Sequence, residues 1–343
     1  LLACDRTNYP DEFSGFNTLS LITLDSSELG VVDATGVFAD GDIVYSSGNA
    51  TYVAASRWVD PVVFELGERP AGTTTMIHKF ALSERGADYR ASGAVPGYML
   101  SQWSMSEHDG YLRVASTDTP QWWDGPESES MVTVLTTSGD ELRAVGSVDG
   151  LGRGERIYSV RFFGDLGYVV TFRQIDPLYV IDLRDTANPV LAGELKIPGY
   201  SAYLHPVGDG LLLGVGQDAT DQGRTTGTQL SLFDVSDPAN PQRISTLPIG
   251  GYSEVEWDHK AFLFWEPDGT IVLPVSPGWN ACGPEEDCLA KSLTGAGGGA
   301  ARSLQRKGLL EMVVGQVWPP EVDDFMQIIC LVFFFFFFFF FFF

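Results

Sequence analysis

The 343-residue sequence predicts an all-β fold built from repeated four-stranded units, and three observations support this prediction. The segment LYVIDLRDTANP at 178–189 returns as LSLFDVSDPANP at 230–241, and Gly-Tyr-Ser at 199–201 returns at 251–253. Short runs rich in Val, Ile, Leu, Tyr and Phe follow one another between Gly, Pro, Asp and Asn. Outside the C-terminal tail, no stretch keeps a 3.6-residue apolar period long enough for a central helix.

The repeated unit contains four strand-length runs, and looser copies of it occur upstream. The predicted strands of four complete units are 42–47, 51–56, 76–82 and 89–95; 100–109, 111–116, 131–137 and 142–148; 157–165, 167–173, 178–183 and 192–197; 201–206, 210–216, 228–235 and 243–249. Partial units are predicted at 18–25 and 30–38, and at 253–258 and 261–266 with a continuation through 300–305 and 309–317.

Four-stranded repeats of about 40 to 50 residues are typical of the blades of a β-propeller. A solenoid or a row of sandwiches is the alternative. It fits less well, because blades stacked on one another explain strands that are apolar on both faces. The sequence therefore predicts a β-propeller domain over residues 1–318, with four complete antiparallel blades and a partial unit at each end, as in a fragment of a larger ring.

The two chain ends are interpreted separately. Residues 333–343 are eleven consecutive Phe, so 319–343 is interpreted as a non-native or out-of-frame tail. The apolar run 328–343 is shorter than the roughly 20 residues of a spanning helix, and no transmembrane segment is predicted. The chain begins without Met or an export signal, and the half unit that follows indicates that upstream blades are missing.

Composition excludes one class of partner and leaves the redox state open. Acidic residues outnumber basic ones 45 to 21, for a net charge of -24, which repels the phosphate backbone of nucleic acids. Cys282 and Cys288 lie in CGPEEDC, close enough either to form a disulfide or to remain free thiols. A disulfide would require an oxidising compartment.

Aspartates recur once per unit and are interpreted as turn residues rather than as catalytic residues. In DTANP and DPANP the carboxylate can accept hydrogen bonds from amides of the turn, and Asn-Pro favours extended backbone before the proline. These turns join the third and fourth strands, and the others join the first and second. The residues are Asp185 and Asp237 in the former, and Asp109, Asp165, Asp209 and Asp258 in the latter.

No catalytic motif is present in the sequence. The histidines at 78, 108, 205 and 259 lack metal-ligand spacing, so each is expected to be structural, and no metal is predicted. No Gly-x-Ser-x-Gly occurs. The three arginines at 156, 161 and 173 could bind an anion or pair with the many carboxylates, and pairing is the favoured interpretation.

Binding is expected on long loops between second and third strands, at 57–75, 117–130, 217–228 and 277–299. Aromatic planes there suit sugar rings or partner side chains, and carboxylates suit Ca²⁺; a solvated acidic surface and Trp residues packed on their own blade are the alternatives. The candidate residues are Trp58, Trp122, Trp123, Asp218, Asp221 and Arg224, with further acidic residues at Asp124, Glu285, Glu286 and Asp287.

Three long segments carry a resemblance to a known family. They are SGAVPGYMLSQWSMSEHDGYLRVAS, GERIYSVRFFGDLGYVVTFRQIDPLYVIDL and GELKIPGYSAYLHPVGDGLLLGVGQDATDQGRTTGTQLSLFDVSDP. Over residues 4–276, and more weakly to 318, the chain resembles prokaryotic predicted secreted proteins with a C-terminal β-propeller distantly related to WD-repeat domains. The resemblance implies export to the cell surface or beyond and carries over no catalytic residue. The missing export signal and the Phe tract depart from the family pattern.

Together these observations predict a secreted or cell-surface propeller that acts as a binding or protein-interaction module without a cofactor. Its ligand would be a protein or a glycan. The alternative is an extracellular propeller enzyme, a hydrolase or lyase acting on polysaccharide. Such an enzyme should bring together two carboxylates, or a carboxylate and a histidine, in one pocket.

Overall fold

The computed structural model of the protein describes residues 2–25, 27, 30–57, 73–119, 127–172, 176–220, 224–267, 269–276 and 311–315. Over these residues the chain forms small β-sheets in sequence order, and its helical pieces are three-residue 3₁₀ turns. No helix among them is long and apolar enough to cross a bilayer.

A partial unit precedes the complete blades. It contains Thr7–Asn8 (β1), Thr18–Leu24 (β2) and Val31–Phe38 (β3). Strands β2 and β3 form the predicted antiparallel pair, and β1 adds to β3 in parallel.

Four complete blades follow, and this confirms the predicted β-propeller architecture. In each blade, every strand pairs antiparallel with the next one along the chain. The strands are Ile43–Ser46, Ala50–Arg57, Thr74–Ser83 and Gly86–Pro96 (β4–β7, first blade); Met105–His108, Tyr111–Asp118, Glu129–Ser138 and Glu141–Leu151 (β8–β11, second blade); Arg156–Phe163, Leu166–Phe172, Asp176–Asp182 and Val190–Ile197 (β12–β15, third blade); Tyr200–Gly208, Leu211–Ala219, Thr225–Asp234 and Gln242–Pro248 (β16–β19, fourth blade).

Two predicted first strands are partly wrong. In the second blade, Gln102–Ser104 is a 3₁₀ turn capped by Ser101, so β8 is shorter than the predicted 100–109. In the last unit, the predicted strand 253–258 is instead a 3₁₀ turn, Glu254–Glu256. The side chain of Ser253 accepts from the amide of Val255, and the side chain of Glu256 accepts from the amide of Ser253. This reciprocal capping box starts a helical turn where the residue types resemble a strand.

The rest of the last unit also departs from the expected meander. Asp258 caps a further 3₁₀ turn, His259–Ala261, instead of joining two strands. Leu263–Trp265 (β20) then pairs antiparallel with Thr270–Pro274 (β21). Glu311–Gly315 (β22) lies within the predicted strand 309–317 but pairs with β21 in parallel. The predicted strand 300–305 lies outside the described residues, as does the tail 319–343.

The outer strand of each complete blade carries a bulge at a corresponding place. The register between third and fourth strands shifts at Lys79/Phe80, Val134/Leu135, Val180/Ile181 and Leu232/Phe233 in the four blades. A bulge bends the strand and increases its twist, which shapes the blade edge.

Two glycines beside these bulges receive the next blade. A Cβ atom at Gly146 would lie 2.5 Å from the carbonyl oxygen of Thr186, and one at Gly193 would lie 2.3 Å from that of Pro238. Thr186 and Pro238 belong to the repeated turns DTANP and DPANP. Each of these turns therefore sits against the outer strand of the preceding blade, in a notch that only glycine leaves open.

The core is divided into clusters between neighbouring units. In β13, Val169 packs in a cluster with Val134 of the second blade, whereas the adjacent Val170 packs with Leu204 of the fourth. Successive side chains of a strand point to opposite faces, so the central strands are buried on both sides. Burial of each such side chain contributes about 1.5 to 3 kcal/mol, which makes blade-to-blade packing the main stabilising contact.

Candidate functional site

The blades have two unlike rims. The first, called the linker face, carries the links between blades and the loops between second and third strands. The other, called the turn face, carries the turns between first and second strands and between third and fourth strands. Both definitions follow from the antiparallel order of the strands in each blade.

Most of the loop residues predicted to bind lie outside the described residues. These are Trp58, Trp122, Trp123 and Asp221, together with the acidic residues Asp124, Glu285, Glu286 and Asp287 and the cysteines Cys282 and Cys288. The structure does describe Asp218 and Arg224. The hydroxyl of Thr226 donates to Asp218 over 3.1 Å, and the amide of Thr220 donates to the carbonyl of Arg224 over 2.9 Å.

A Gly-Tyr pair recurs at three links on the linker face: Gly97-Tyr98, Gly199-Tyr200 and Gly251-Tyr252. The glycines have φ angles of 80°, 85° and 62°. A side chain at the first two would also meet the backbone of the second strand, at 2.5 Å and 2.3 Å. Glycine is needed there on both counts.

The tyrosine backbone then closes onto the end of the second strand. Tyr98 exchanges two hydrogen bonds of 2.9 Å with Thr117, and Tyr252 pairs in the same way with Ser276. Tyr200 takes the corresponding position opposite Gln217. The same link therefore fixes a tyrosine on the linker face at three places, at the start of the second blade, the fourth blade and the last unit.

Two of these tyrosines join a cluster called the tyrosine patch: Tyr98, Arg156, Tyr158, Phe172 and Tyr200. Arg156 begins β12, and its Nη2 donates to the hydroxyl of Tyr158 over 3.0 Å, with the guanidinium 5.0 Å from the centre of that ring. The rings of Tyr158, Phe172 and Tyr200 lie with centroids 4.8 to 5.4 Å apart. Arg156 is exposed, and the aromatic rings are half-buried.

The tyrosine patch has one cationic side chain, that of Arg156, which lies among the phenol groups of the tyrosines. Ion pairing, the interpretation favoured for Arg156, is wrong for the described residues, because the guanidinium bonds to Tyr158 instead. That hydrogen bond raises the pKa of Arg156, and the side chain stays charged. Burial raises the pKa of Tyr98, although the charge of Arg156 opposes the shift. The patch thus presents hydroxyl groups and a guanidinium above a shared aromatic base.

A second aromatic pair lies farther along the same face. Tyr252 is 39% exposed and Trp257 is 65% exposed, with their ring centroids 6.0 Å apart. Exposed large aromatic side chains of this kind are typical of contact surfaces.

The turn face differs in that its aspartates bond within their own turns. Asp185 accepts hydrogen bonds of 3.0 Å from the amide two residues on and from the side chain of Asn188. Asp237 repeats both bonds, at 3.1 Å and 2.8 Å, the second from Asn240. Hydrogen bonding lowers the pKa of Asp185, first through Asn188. The carboxylates of Asp185 and Asp237 therefore accept hydrogen bonds from groups of their own turns.

The turns between first and second strands vary more. Asp109 and Gly110 both have positive φ, 49° and 82°, as in the two-residue turns that match strand twist. Asp165 accepts the amide of Leu183 through its carbonyl, at 2.9 Å. Asp209 precedes Gly210, whose carbonyl accepts from Val235 at 2.8 Å.

The histidines fall into two environments. His78 is buried and His205 is half-buried in the protein interior. Burial lowers the pKa of each to about 4, so both are neutral at pH 7. His108 lies on the turn face with Nε2 3.2 Å from a carboxylate oxygen of Asp165, and both side chains are substantially exposed. His259 lies 3.1 Å from the side-chain amide of Gln102.

In the described part of the chain, no three His, Cys, Asp or Glu side chains are grouped so that they could hold a metal ion. The tyrosine patch was missed from the sequence, where attention fell on loop tryptophans. The repeated Gly-Tyr-Ser at 199 and 251 was the signal that could have identified it, together with Gly97-Tyr98.

Comparison with known proteins gives a family and two relatives. The β-propeller domain family matches residues 1–308. Over 184 residues, 53% of this chain, the sequence is 42% identical to an uncharacterized protein of Methanocaldococcus jannaschii, and it covers 28% of that protein. Over 201 residues, 58% of the chain, it is 42% identical to an uncharacterized protein of Archaeoglobus fulgidus, and it covers 29% of it. The chain thus spans less than a third of the length of these curated relatives.

Proposed function

Because the chain belongs to the β-propeller domain family, we propose that it is a module that binds another protein through its linker face. Propellers host many functions on one scaffold, so the argument must come from the site. The observation that carries the proposal is the tyrosine patch, in which Arg156 is exposed beside three tyrosines and Phe172.

The composition of the patch supports a protein partner. Tyr, Trp and Arg are the residues that most often dominate the binding energy of protein interfaces, since they offer large contact area together with polar groups. The patch brings tyrosines and an arginine together in one place, and Tyr252 with Trp257 extends the aromatic surface on the same face. The rigid blades below would hold the side chains in place before binding, which lowers the entropy cost.

The packing of the rings favours a protein over a glycan. Sugar rings stack on flat aromatic faces that are open to solvent. In the patch, Tyr158, Phe172 and Tyr200 lean on one another at interplanar angles of 43° to 81°, so each covers part of its neighbour. The exposed Arg156 and the phenol hydroxyl groups beside these rings suit the mixed chemistry of a peptide surface.

The experiment is a display selection of peptide binders against the 343-residue chain, followed by affinity measurement. Binders selected on the wild type are tested on Arg156→Ala, Tyr200→Ala and the matched turn-face control Arg184→Ala, whose guanidinium is 71% exposed beside Asp182. We expect each patch variant to weaken binding about tenfold or more, as interface hot spots do, and the control to stay within about twofold.

Two results would contradict this proposal. One is binding that falls with Arg184→Ala and not with the patch variants, which would move the contact to the turn face. The other is binding to a glycan array, with patch dependence, when no peptide binds. Folding of every variant is checked by its thermal unfolding midpoint.

Location, lineage and metal dependence are further parts of the proposal. We propose that the protein acts outside the cell or at its surface, and that it is related to secreted prokaryotic propellers distant from WD-repeat domains; the resemblance of 92–116, 154–183 and 193–238 supports both. Fractionation of the source cells with an antibody tests the location. Ca²⁺ at the acidic loops is tested by unfolding with CaCl₂ or EDTA. No observation on the described residues favours the enzyme alternative.

A further inference from the structure

Arg161 is a cation without an anionic partner among the described residues. It lies in the middle of the first strand of the third blade, largely enclosed, and the Nη1 atom is removed from solvent with no hydrogen-bond partner. No carboxylate of the described residues lies within ion-pair distance of it, and burial lowers its pKa. Among the described residues, the ion pairing favoured from sequence is therefore not found for Arg161. Enclosed charges are normally paired, so this one requires an explanation.

The group beneath Arg161 is a tryptophan that also has an unused donor. The guanidinium carbon lies 3.9 Å from the ring centre of Trp103, in the 3₁₀ turn before β8. The indole Nε1 of Trp103 is likewise out of solvent and has no partner. Two unsatisfied N–H donors thus belong to one stacked pair, in a chain whose charge is -24 overall.

The surroundings of this pair are aromatic and carry no negative charge among the described residues. The hydroxyl of Tyr203 lies 3.1 Å from Nδ1 of His205, and burial, together with the positive charge of Arg161, lowers the pKa of that histidine to about 4. The ring of Phe262 lies 5.0 Å from Tyr203 and 4.9 Å from His205.

The cluster lies where the blades converge. Trp103, which begins the second blade, contacts His259 of the last unit edge-on, with ring centroids 5.2 Å apart, although two complete blades separate them in sequence. Arg161, Tyr203 and His205 lie on first strands and Trp103 lies just before one, so the cluster is on the side where the first strands of the blades approach one another. The cluster is therefore distinct from the tyrosine patch on the rim.

We propose that Arg161, Trp103 and the aromatic rings around them form a binding site for the carboxylate group of an organic ligand, at the axis of the blades. Arginine presents two parallel N–H donors that match a carboxylate, and the stacked indole of Trp103 holds a further unpartnered N–H beside them. A phosphate dianion would call for more than one cation, whereas a single carboxylate balances the single charge. The apolar walls suit a ligand with a carbon skeleton.

This site does not depend on the proposed protein-binding surface. Its carboxylate could come from a uronic acid sugar or from the C-terminus of a peptide, and the probes distinguish the two. Sodium glucuronate represents the sugar, with glucose as its uncharged match. N-acetylphenylalanine represents the peptide end, with its amide as the match. Inorganic phosphate is the third anion, and all samples are held at one ionic strength.

The test measures the thermal unfolding midpoint of the 343-residue chain with each probe. We expect a saturable rise of about 2 °C at roughly ten times the dissociation constant for at least one carboxylate, and none for its uncharged match. Arg161→Met should abolish the rise, Arg161→Lys should weaken binding because a lysine cannot bind in the same forked way, and the exposed control Arg143→Met should keep it.

The variants also distinguish a carboxylate-binding site from a side chain that only supports the packing of the blades. Without any probe, Arg161→Met should unfold at the same temperature as the wild type or higher, because an unpaired enclosed charge has been removed. A marked fall of that midpoint, with no carboxylate effect on the wild type, would mean that Arg161 only supports the packing. A rise produced equally in Arg161→Met, or by phosphate alone, would also overturn the proposal.

Discussion

The turn face and the axis of the blades use their side chains in opposite ways. On the turn face, Asp185 and Asp237 occur in successive blades and make the same two hydrogen bonds. At the axis, one register position of the first strands holds a different residue in every complete blade. In the order of the blades these residues are Tyr45, Ser106, Arg161 and His205, which face Tyr52, Arg113, Tyr168 and Leu213 on the second strands.

The difference separates folding from function within one repeated architecture. A residue that returns in several blades solves a problem that every blade has, such as closing a turn or admitting its neighbour. A residue that changes at an equivalent position is free of that problem. Arg161 is such a residue, and its guanidinium has no bonding partner in the described part of the chain, whereas the repeated aspartates have used theirs.

Acid should lower the free energy of unfolding through the histidines of the interior before it affects the turn face, and this is the largest effect that we predict. The pKa of His78 falls from 6.5 to about 4 through burial, so the folded state resists its protonation. The contribution of neutral His78 to the free energy of unfolding is fully present above pH 6.5. It is lost as the pH falls towards 4, by up to about 3 kcal/mol. His205 acts with the same sign. Urea unfolding from pH 7 to pH 4 measures the loss.

The variant that tests this prediction is His78→Leu. Removing His78 should reduce by about one the number of protons taken up on unfolding between pH 6.5 and 4, relative to the unaltered chain. The turn-face carboxylates act in another window, because the pKa of Asp185 is lowered and its contribution disappears only below about pH 4. An unchanged slope in His78→Leu would contradict the assignment.

Filling the glycine notch between two blades should lower the free energy of unfolding by somewhat less than acid does. Gly193→Val places a branched side chain where a Cβ atom alone would lie 2.3 Å from the carbonyl oxygen of Pro238, and backbone cannot move aside as a flexible side chain can. We expect a loss of about 2 kcal/mol in the free energy of unfolding, measured in urea. The control is Gly48→Val, since a Cβ atom there has no neighbour within 4 Å. Equal losses in both would mean that the notch is not a tight contact.

Removing one repeated carboxylate should give the smallest effect. Asp237→Ala deletes two hydrogen bonds within an exposed turn, and a loss of about 1 kcal/mol is expected. Asp237→Asn keeps one acceptor oxygen and should lose less. Asp185→Ala should change stability in the same direction, and the double variant should show the sum of the two, because the turns lie in different blades. A strongly non-additive result would show that the two turns are coupled through the notch.

The repeated parts of the fold were predictable from sequence, and the unique parts were not. DTANP and DPANP identified the turn between third and fourth strands, because the same backbone problem had been solved twice with similar residues. The turn Glu254–Glu256 was missed, because Ser253 and Glu256 form a capping box inside residues that otherwise resemble a strand. The axial cluster was missed for another reason. Its members lie far apart in the chain, and only blade packing brings Trp103 to His259.

The glycine notches also give the chain a direction of assembly. Gly193 is emerging from the ribosome while the turn that will cover it, at 237–241, is still unmade. During translation, the outer strand of each new blade therefore lacks its contact with the turn of the next blade. The order of synthesis sets the order in which these contacts form. A stop codon just after residue 197 would leave Gly193 uncovered and would expose the face of the third blade, including Val170, that packs against the fourth blade.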